Sequence, residues 1–224
     1  MPKKMENEFF KSNWIFIPSK RFGGDFFSYH FVNDDNLIIY LIDVAGHGVT
    51  SALLSLSVSN VINSYVICNN NISPSEVLRY VNSYFFKFKR DLFITLWYVV
   101  LNVKTRRLKF ATAGAPPAVV LSSQGNIYLK TRGSVLGIEE IYSCEENECL
   151  LSKFSHLLLF SDGVYEIENK QNIIMSIDDF YNILKESSCD LDDFVLVRLY
   201  EKMLNLSRYN VFRDDFSILE FILN

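Results

Sequence analysis

The chain has 224 residues, 49% of them hydrophobic, with 19 Phe and 12 Tyr. That composition supplies a sizeable core and excludes a disordered chain. Against 26 acidic side chains stand 22 basic ones, a net charge of -4, which removes the electrostatic basis for binding nucleic acid.

In chain order, the first eight residues (Met-Pro-Lys-Lys-Met-Glu-Asn-Glu) lack the apolar core of a secretory signal. Leu37 to Asp43 reads as a strand that ends in a glycine-rich turn. A helix follows from Thr50 to about Cys68, with Thr50 or Ser51 as its N-cap. After the polar break from Asn69 to Pro74, a second helix runs to Lys89. Val77, Leu78, Val81, Phe85 and Phe88 carry its helical spacing, and Pro74 suits its first turn. Strands are predicted at Leu92–Asn102, Arg107–Ala113, Ala118–Ser122 and Asn126–Lys130, with a Gln124-Gly125 hairpin turn between the last two. Two more strands fall at His156–Phe160 and Phe216–Leu223, and two more helices near Ile177–Glu186 and Leu191–Leu206.

Strands at hairpin distance argue for antiparallel sheets, and helices in pairs argue that they cover sheet faces. The expected class is α/β in the broad α+β sense: a two-layer antiparallel β-sandwich flanked by helices on both outer faces. No internal repeat or Pro/Gly/Ser linker divides the chain, so one domain over residues 1–224 is the economical reading. No apolar stretch is read as reaching the ~20 residues that cross a bilayer. Cys68, Cys144, Cys149 and Cys189 form no Cys-x-x-Cys pair and have no His at zinc-ligand spacing. Free thiols in a reducing, cytoplasmic setting are the expectation.

Four spots could carry chemistry: Gly23-Gly24-Asp25, the run Asp43-Val44-Ala45-Gly46-His47-Gly48, Ser161-Asp162-Gly163 and Asp214-Asp215. Carboxylates at strand ends can converge at one edge of a sheet, where glycine lets a ligand approach the backbone closely. Hard oxygen donors without Cys or paired His select Mg²⁺ or Mn²⁺ over Zn²⁺. Taken singly each spot has a plainer reading. Asp-Gly is first a turn dipeptide, paired aspartates before a strand can be turn residues, and a lone His more often belongs to a turn or the surface.

Together and in this order the segments are more specific. Gly-Gly-Asp-Phe-Phe, Asp-Val-Ala-Gly-His-Gly-Val-Thr-Ser-Ala-Leu-Leu, Ala-Gly-Ala-Pro-Pro-Ala, Leu-Gly-Ile, Leu-Leu-Phe-Ser-Asp-Gly-Val-Tyr-Glu and Asp-Asp-Phe-Ser-Ile follow one another between Gly23 and Ile218. In this the chain resembles the bacterial branch of the PPM (PP2C-like) phosphatases, the sporulation and general-stress type, over roughly Trp14 to Leu223. The resemblance implies a metal-dependent protein serine/threonine phosphatase that removes phosphate from phosphoserine or phosphothreonine, with two Mn²⁺ or Mg²⁺ ions at the edge of the sandwich. It implies Asp43 as the carboxylate bridging both ions and the Val44 carbonyl as a neighbouring ligand. It also implies Asp25 on the second ion, and Asp162 and Asp214 on the first. Asp215 takes a place often held by Asn in eukaryotic members and is the weaker ligand candidate. The partner implied is a phosphorylated protein, a STAS-type anti-sigma-factor antagonist, with no nucleic acid and no membrane; self-association as a homodimer stays open.

The departures from the pattern are local. Ala115 stands where bacterial members commonly carry His, and Ala45 where they often carry Ser. Arg21, four residues before Asp25, has the spacing of the phosphate-binding Arg of eukaryotic members, and the surface is its other reading. His47 falls near the family's proposed general acid, a catalytic role to set beside a structural one in the loop. Met1-Pro2-Lys3 looks like the tail of the helix that precedes this domain in bacterial members, so a piece of a longer regulatory protein is expected. The competing class is a catalytically inactive PP2C-like binding module, which would have lost ligands that this chain keeps.

Overall fold

In a computed structural model, the structure describes all residues except 47, 70–71, 89–92 and 188–192. The chain folds as two compact units, each assembled from non-contiguous stretches of sequence. The first holds Met1–Lys3, Phe22–Pro117 and Lys130–Leu151; the second holds Lys4–Arg21, Ala118–Leu129 and Ser152–Asn224. Neither is a piece that a single cut would release.

The first unit is built on a five-stranded antiparallel sheet. Its strands are β2 (Phe26–Phe31), β3 (Asn36–Val44), β4 (Ile94–Asn102), β5 (Arg107–Ala113) and β8 (Asn147–Leu150), in the order β2-β3-β4-β5-β8. The continuous apolar run Leu37–Ile42 is buried on both faces of the central strand. Its even-numbered face, Ile38, Tyr40, Ile42 and Val44, joins a core with helices α1 (Val49–Asn69) and α2 (Pro74–Phe86). Ile39 and Leu41 fill the other face. Stacked Tyr40 and Tyr98 tie β3 to β4, and the Tyr40 hydroxyl lies 2.8 Å from Ser59 Oγ of α1.

Two details differ from expectation. Helix α1 opens at Val49, behind the left-handed Gly48, whose carbonyl accepts the Ala52 amide at 3.1 Å. Ser51 therefore lies in the first turn, its hydroxyl bonded back to the same carbonyl, and is not the cap. With 21 residues, α1 is also long and apolar enough to span a bilayer by length and composition, which corrects the reading that no stretch approaches that size. Its Val58, Ile62 and Val66 pack into the core, and core helices pass the same test. Helix α2 has Pro74 in its first turn as expected, but its N-terminus is served from a distance. Glu146 Oε2 accepts the Ser75 amide at 3.1 Å and the Ser73 hydroxyl at 2.8 Å.

The second unit carries the sheet β1-β10-β9-β6-β7: β1 (Phe10–Ile17), β6 (Ala118–Leu121), β7 (Ile127–Leu129), β9 (His156–Phe160) and β10 (Phe216–Leu223). Helices α3 (Ile177–Ser187) and α4 (Leu196–Leu206) bury Phe180, Leu184, Leu196, Leu199 and Met203 against Leu158, Phe160 and Ile218. The expected start of α4 at Leu191 lies outside the described residues. Where α4 is described, the Glu220 carboxylate of β10 accepts the Val195 and Leu196 amides, at 3.1 and 3.3 Å. The same carboxylate meets His156 Nδ1 at 2.5 Å, and both side chains are fully buried.

Candidate metal centre

In the first unit two aspartates stand at one end of the β2–β3 ladder. Its last pair is Phe26 with Ile42; Asp25 directly precedes Phe26, and Asp43 directly follows Ile42. Asp25 is 5% exposed and Asp43 partly buried. Two acidic oxygen donors at one strand end are of the type that hard divalent cations take.

Gly24 explains the close fit around Val44. A Cβ at position 24 would lie 2.4 Å from the Val44 carbonyl oxygen and 3.0 Å from that of Gly46. Only glycine allows the chain entering β2 to press on that carbonyl. Beyond it, Gly46 and Gly48 adopt positive φ, and the Gly48 amide donates to the Phe22 carbonyl at 3.0 Å. The loop turns there because those residues can take left-handed backbone. His47, the candidate acid, lies outside the described residues.

In the second unit the carboxylates ride on loops. Asp162 starts a single 3-10 turn (Asp162–Val164) directly after β9, and its carbonyl accepts the Tyr165 and Glu166 amides at 2.9 and 2.8 Å. Ser161 Oγ donates to the Asp215 carbonyl at 3.1 Å, and its amide donates to Ser217 at 3.0 Å. Gly163 is seated so closely that a Cβ would lie 2.3 Å from the Asp215 carbonyl oxygen. The Asp162 turn and the Asp214–Asp215 segment are thereby pressed together. Burial pushes the Asp162 carboxyl up to about 6, with the neighbouring Asp214 and Glu166 charges adding to the effect and backbone hydrogen bonds opposing it. A carboxylate held in that state is one that a cation would stabilise.

Asp215 is 3% exposed; its Oδ1 accepts the Ser19 amide at 2.8 Å, and its own amide donates to Asp214 Oδ1 at 2.8 Å. Its carboxylate therefore already fastens the Ser19 segment, while Asp214 is exposed. Arg21 is exposed at the end of the second unit's first segment. The structure thus groups Asp25 with Asp43 and Val44, and Asp162 with Asp214 and Asp215, each set within its own unit. Sequence reasoning missed Ser161 and Ser19 as supports of the second set. The first stood in plain view in the Ser-Asp-Gly-Val-Tyr-Glu motif.

Among the described residues no three His, Cys, Asp or Glu side chains gather closely enough to hold a metal ion by themselves. The donor chemistry nonetheless fits a hard divalent cation. It is all oxygen, and it gathers acidic groups that repel one another.

The model of the stage II sporulation protein E family matches residues 33–222. Phosphoserine phosphatase RsbU of Bacillus subtilis is 29% identical over 209 residues, covering 92% of this chain but 61% of its own length. The chain thus spans about three fifths of that curated relative. Among solved structures, the SiaA-PP2C domain of Pseudomonas aeruginosa superposes with a TM-score of 0.84 at 19% identity, covering 95% of this chain and 86% of that one. RsbX in complex with magnesium gives 0.70 at 18% identity, over the whole of both chains. These likenesses show the PP2C-like fold, and the family match extends over most of the chain: the protein belongs to the stage II sporulation protein E family of bacterial PP2C-like phosphatases.

Proposed function

We propose that this chain is a Mg²⁺- or Mn²⁺-dependent protein serine/threonine phosphatase that hydrolyses phosphoserine or phosphothreonine on a partner protein. The observation that carries the reading is that Asp25 and Asp43 flank the last pair of the β2–β3 ladder, Phe26 with Ile42, where Gly24 seats the chain against the Val44 carbonyl. That RsbU is a phosphoserine phosphatase, and that RsbX was solved with magnesium, support it.

In the reaction, water adds to phosphorus and the bond from phosphorus to the serine oxygen breaks, giving the free hydroxyl and inorganic phosphate. Uncatalysed phosphate-monoester hydrolysis requires up to ~10²¹-fold acceleration, whereas one general base supplies ~10²–10⁴. Two bound ions would supply an activated water and offset charge on the phosphoryl oxygens. Asp43, Asp25, the Val44 carbonyl, Asp162 and Asp214 would hold them. Asp215 contributes by fixing Asp214 through its amide. Arg21 would bind the phosphoryl group, and His47 would return the proton to the leaving serine oxygen.

The partner proposed is a phosphorylated STAS-type anti-sigma-factor antagonist in the cytoplasm. Hydrolysis of p-nitrophenyl phosphate and of a phosphoserine protein, with Mn²⁺ and after EDTA, tests the enzyme reading. Activity that vanishes on chelation and returns with Mn²⁺ is expected. Binding of a phosphoprotein without release of phosphate would instead establish an inactive binding module.

A further inference from the structure

One largely buried carboxylate has no part in the site described above. Glu168 lies six residues beyond Asp162, and its side chain is 11% exposed. Its Oε1 accepts Arg208 Nη1 at 3.2 Å, while Oε2, without an aligned hydrogen-bond donor, meets the Arg213 guanidinium as an ion pair. The Glu168 carbonyl accepts the Arg208 amide at 2.9 Å, and the next residue, Asn169, forms a β-bridge with Ser207. Between the two arginines the loop closes on itself. The Val211 amide donates to Ser207 Oγ, and Ser207 Oγ donates to the Val211 carbonyl, both at 3.0 Å. Both ends of the 208–213 loop are thus fastened to one residue, and that loop runs directly into Asp214.

The arrangement answers a physical need. Asp162 and Asp214 are like charges on segments that Gly163 presses together, and like charges repel. Gly163 seats the two segments together at the Asp214–Asp215 backbone, and the 208–213 loop that leads into Asp214 is held at Glu168. An ion that must first gather its ligands binds more weakly than one that finds them in place. A single acid between two bases, anchored on the Asp162 side of the chain, holds that loop in place.

We infer that Glu168 is a positioning residue: by clasping Arg208 and Arg213 it holds the Asp214 loop beside the Asp162 turn and so sets the affinity for the divalent cation. The inference rests on the metal-centre reading above. Both guanidinium groups remain partly in water, 37% and 63% exposed, so removal of the acid strands neither as a buried charge and the fold survives.

The test is Mn²⁺ titration of the full chain by calorimetry, with wild type, Glu168→Gln, Glu168→Asp and the double variant Arg208→Gln/Arg213→Gln. Glu168→Gln should raise the Kd for Mn²⁺ roughly tenfold, the lower end of what losing a support behind metal ligands costs. Glu168→Asp should fall between it and wild type, and the double variant should match Glu168→Gln. The kcat at saturating Mn²⁺ and the melting temperature in EDTA should stay near wild type, a split that general destabilisation would not produce. Wild type that binds Mn²⁺ while Glu168→Gln binds it equally well overturns this inference alone. Wild type that takes up no Mn²⁺ overturns the metal-centre reading and this inference together. If Glu168→Gln does not fold, the double variant decides, and its unchanged Kd overturns the inference.

Discussion

The two units hold their aspartates by different physics. In the first, Asp43 is part of a nine-residue strand with partners on both sides, and Asp25 directly precedes the strand paired with it. Moving Asp43 means slipping a ladder, which would also turn a buried apolar face outward. In the second, Asp162 and Asp214 stand on a single 3-10 turn and a loop, held by Ser161, the close seat of Gly163 and the Glu168 clasp. Strand-borne ligands are fixed by the fold as a whole. Loop-borne ligands are fixed by a few nameable contacts, so they are the ones that small changes can adjust.

The largest expected effect lies in the rigid half. Asp43→Asn should lower turnover by ~10²-fold or more at saturating Mn²⁺ and leave the fold intact, because the neutral amide removes a charge proposed to touch both ions. Phosphatase assay together with circular dichroism checks it. Retention of more than about a tenth of wild-type turnover would sink the bridging role.

The two glycines compare the halves directly. Gly24→Ala places a Cβ against the Val44 and Gly46 carbonyls, in a segment whose strand cannot move aside. Gly163→Ala meets the Asp215 carbonyl, on a segment that leads into a loop. Both should weaken Mn²⁺ binding, Gly24→Ala more, since backbone strain there has no soft outlet. Calorimetry on the pair measures it, and the reverse order would break the contrast between strand-held and loop-held ligands.

What was legible in the sequence follows the same division. Central strands announced themselves: Arg107–Ala113, His156–Phe160 and Phe216–Leu223 appear with the expected bounds, because long apolar runs leave few alternatives. Strands β1, β2 and β8 went unseen, and all three are sheet edges, where polar residues such as Lys11, Ser12 and Asn13 blur the alternation. The candidate ligands were legible because Asp, Gly and their order are local. The contacts that hold them were not. Glu168, Glu220 and Glu146 act on residues far along the chain, and nothing in their own neighbourhoods announces it.

Metal binding should stabilise the whole chain to a middling degree. A ligand that binds only the native state adds RT ln(1 + [L]/Kd), about 2.7 kcal/mol at a hundredfold excess over Kd. For a chain of this size that corresponds to a rise of roughly 5–10 °C in melting temperature in millimolar Mn²⁺ over EDTA. Asp43→Asn should show much less of it. Equal shifts in both proteins would place the ion elsewhere and remove the aspartates from consideration.

The smallest effect concerns a helix end in the second unit that is capped locally, unlike α2 and α4 with their distant carboxylates. Ser176 and Asp179 form a capping box at the start of α3. The Ser176 amide and hydroxyl donate to Asp179 Oδ2 at 2.9 and 2.7 Å, and the Asp179 amide donates to Ser176 Oγ at 3.2 Å. These bonds favour the charged form, the backbone one most, and hold the Asp179 carboxyl below its usual value. A carboxyl with a depressed folded pKa contributes stability that is present above the unfolded value of about 3.9 and is lost as pH falls through the lower folded value. Wild type should therefore melt slightly higher than Asp179→Asn at neutral pH, and the gap should close below about pH 4. The group is fully exposed, so solvent keeps the difference small. Melting curves of both proteins in EDTA across pH 3–7 measure it. A gap that persists unchanged at the acid end would mean that Asp179 acts through shape and not through charge, and this helix start would then owe nothing to its carboxylate.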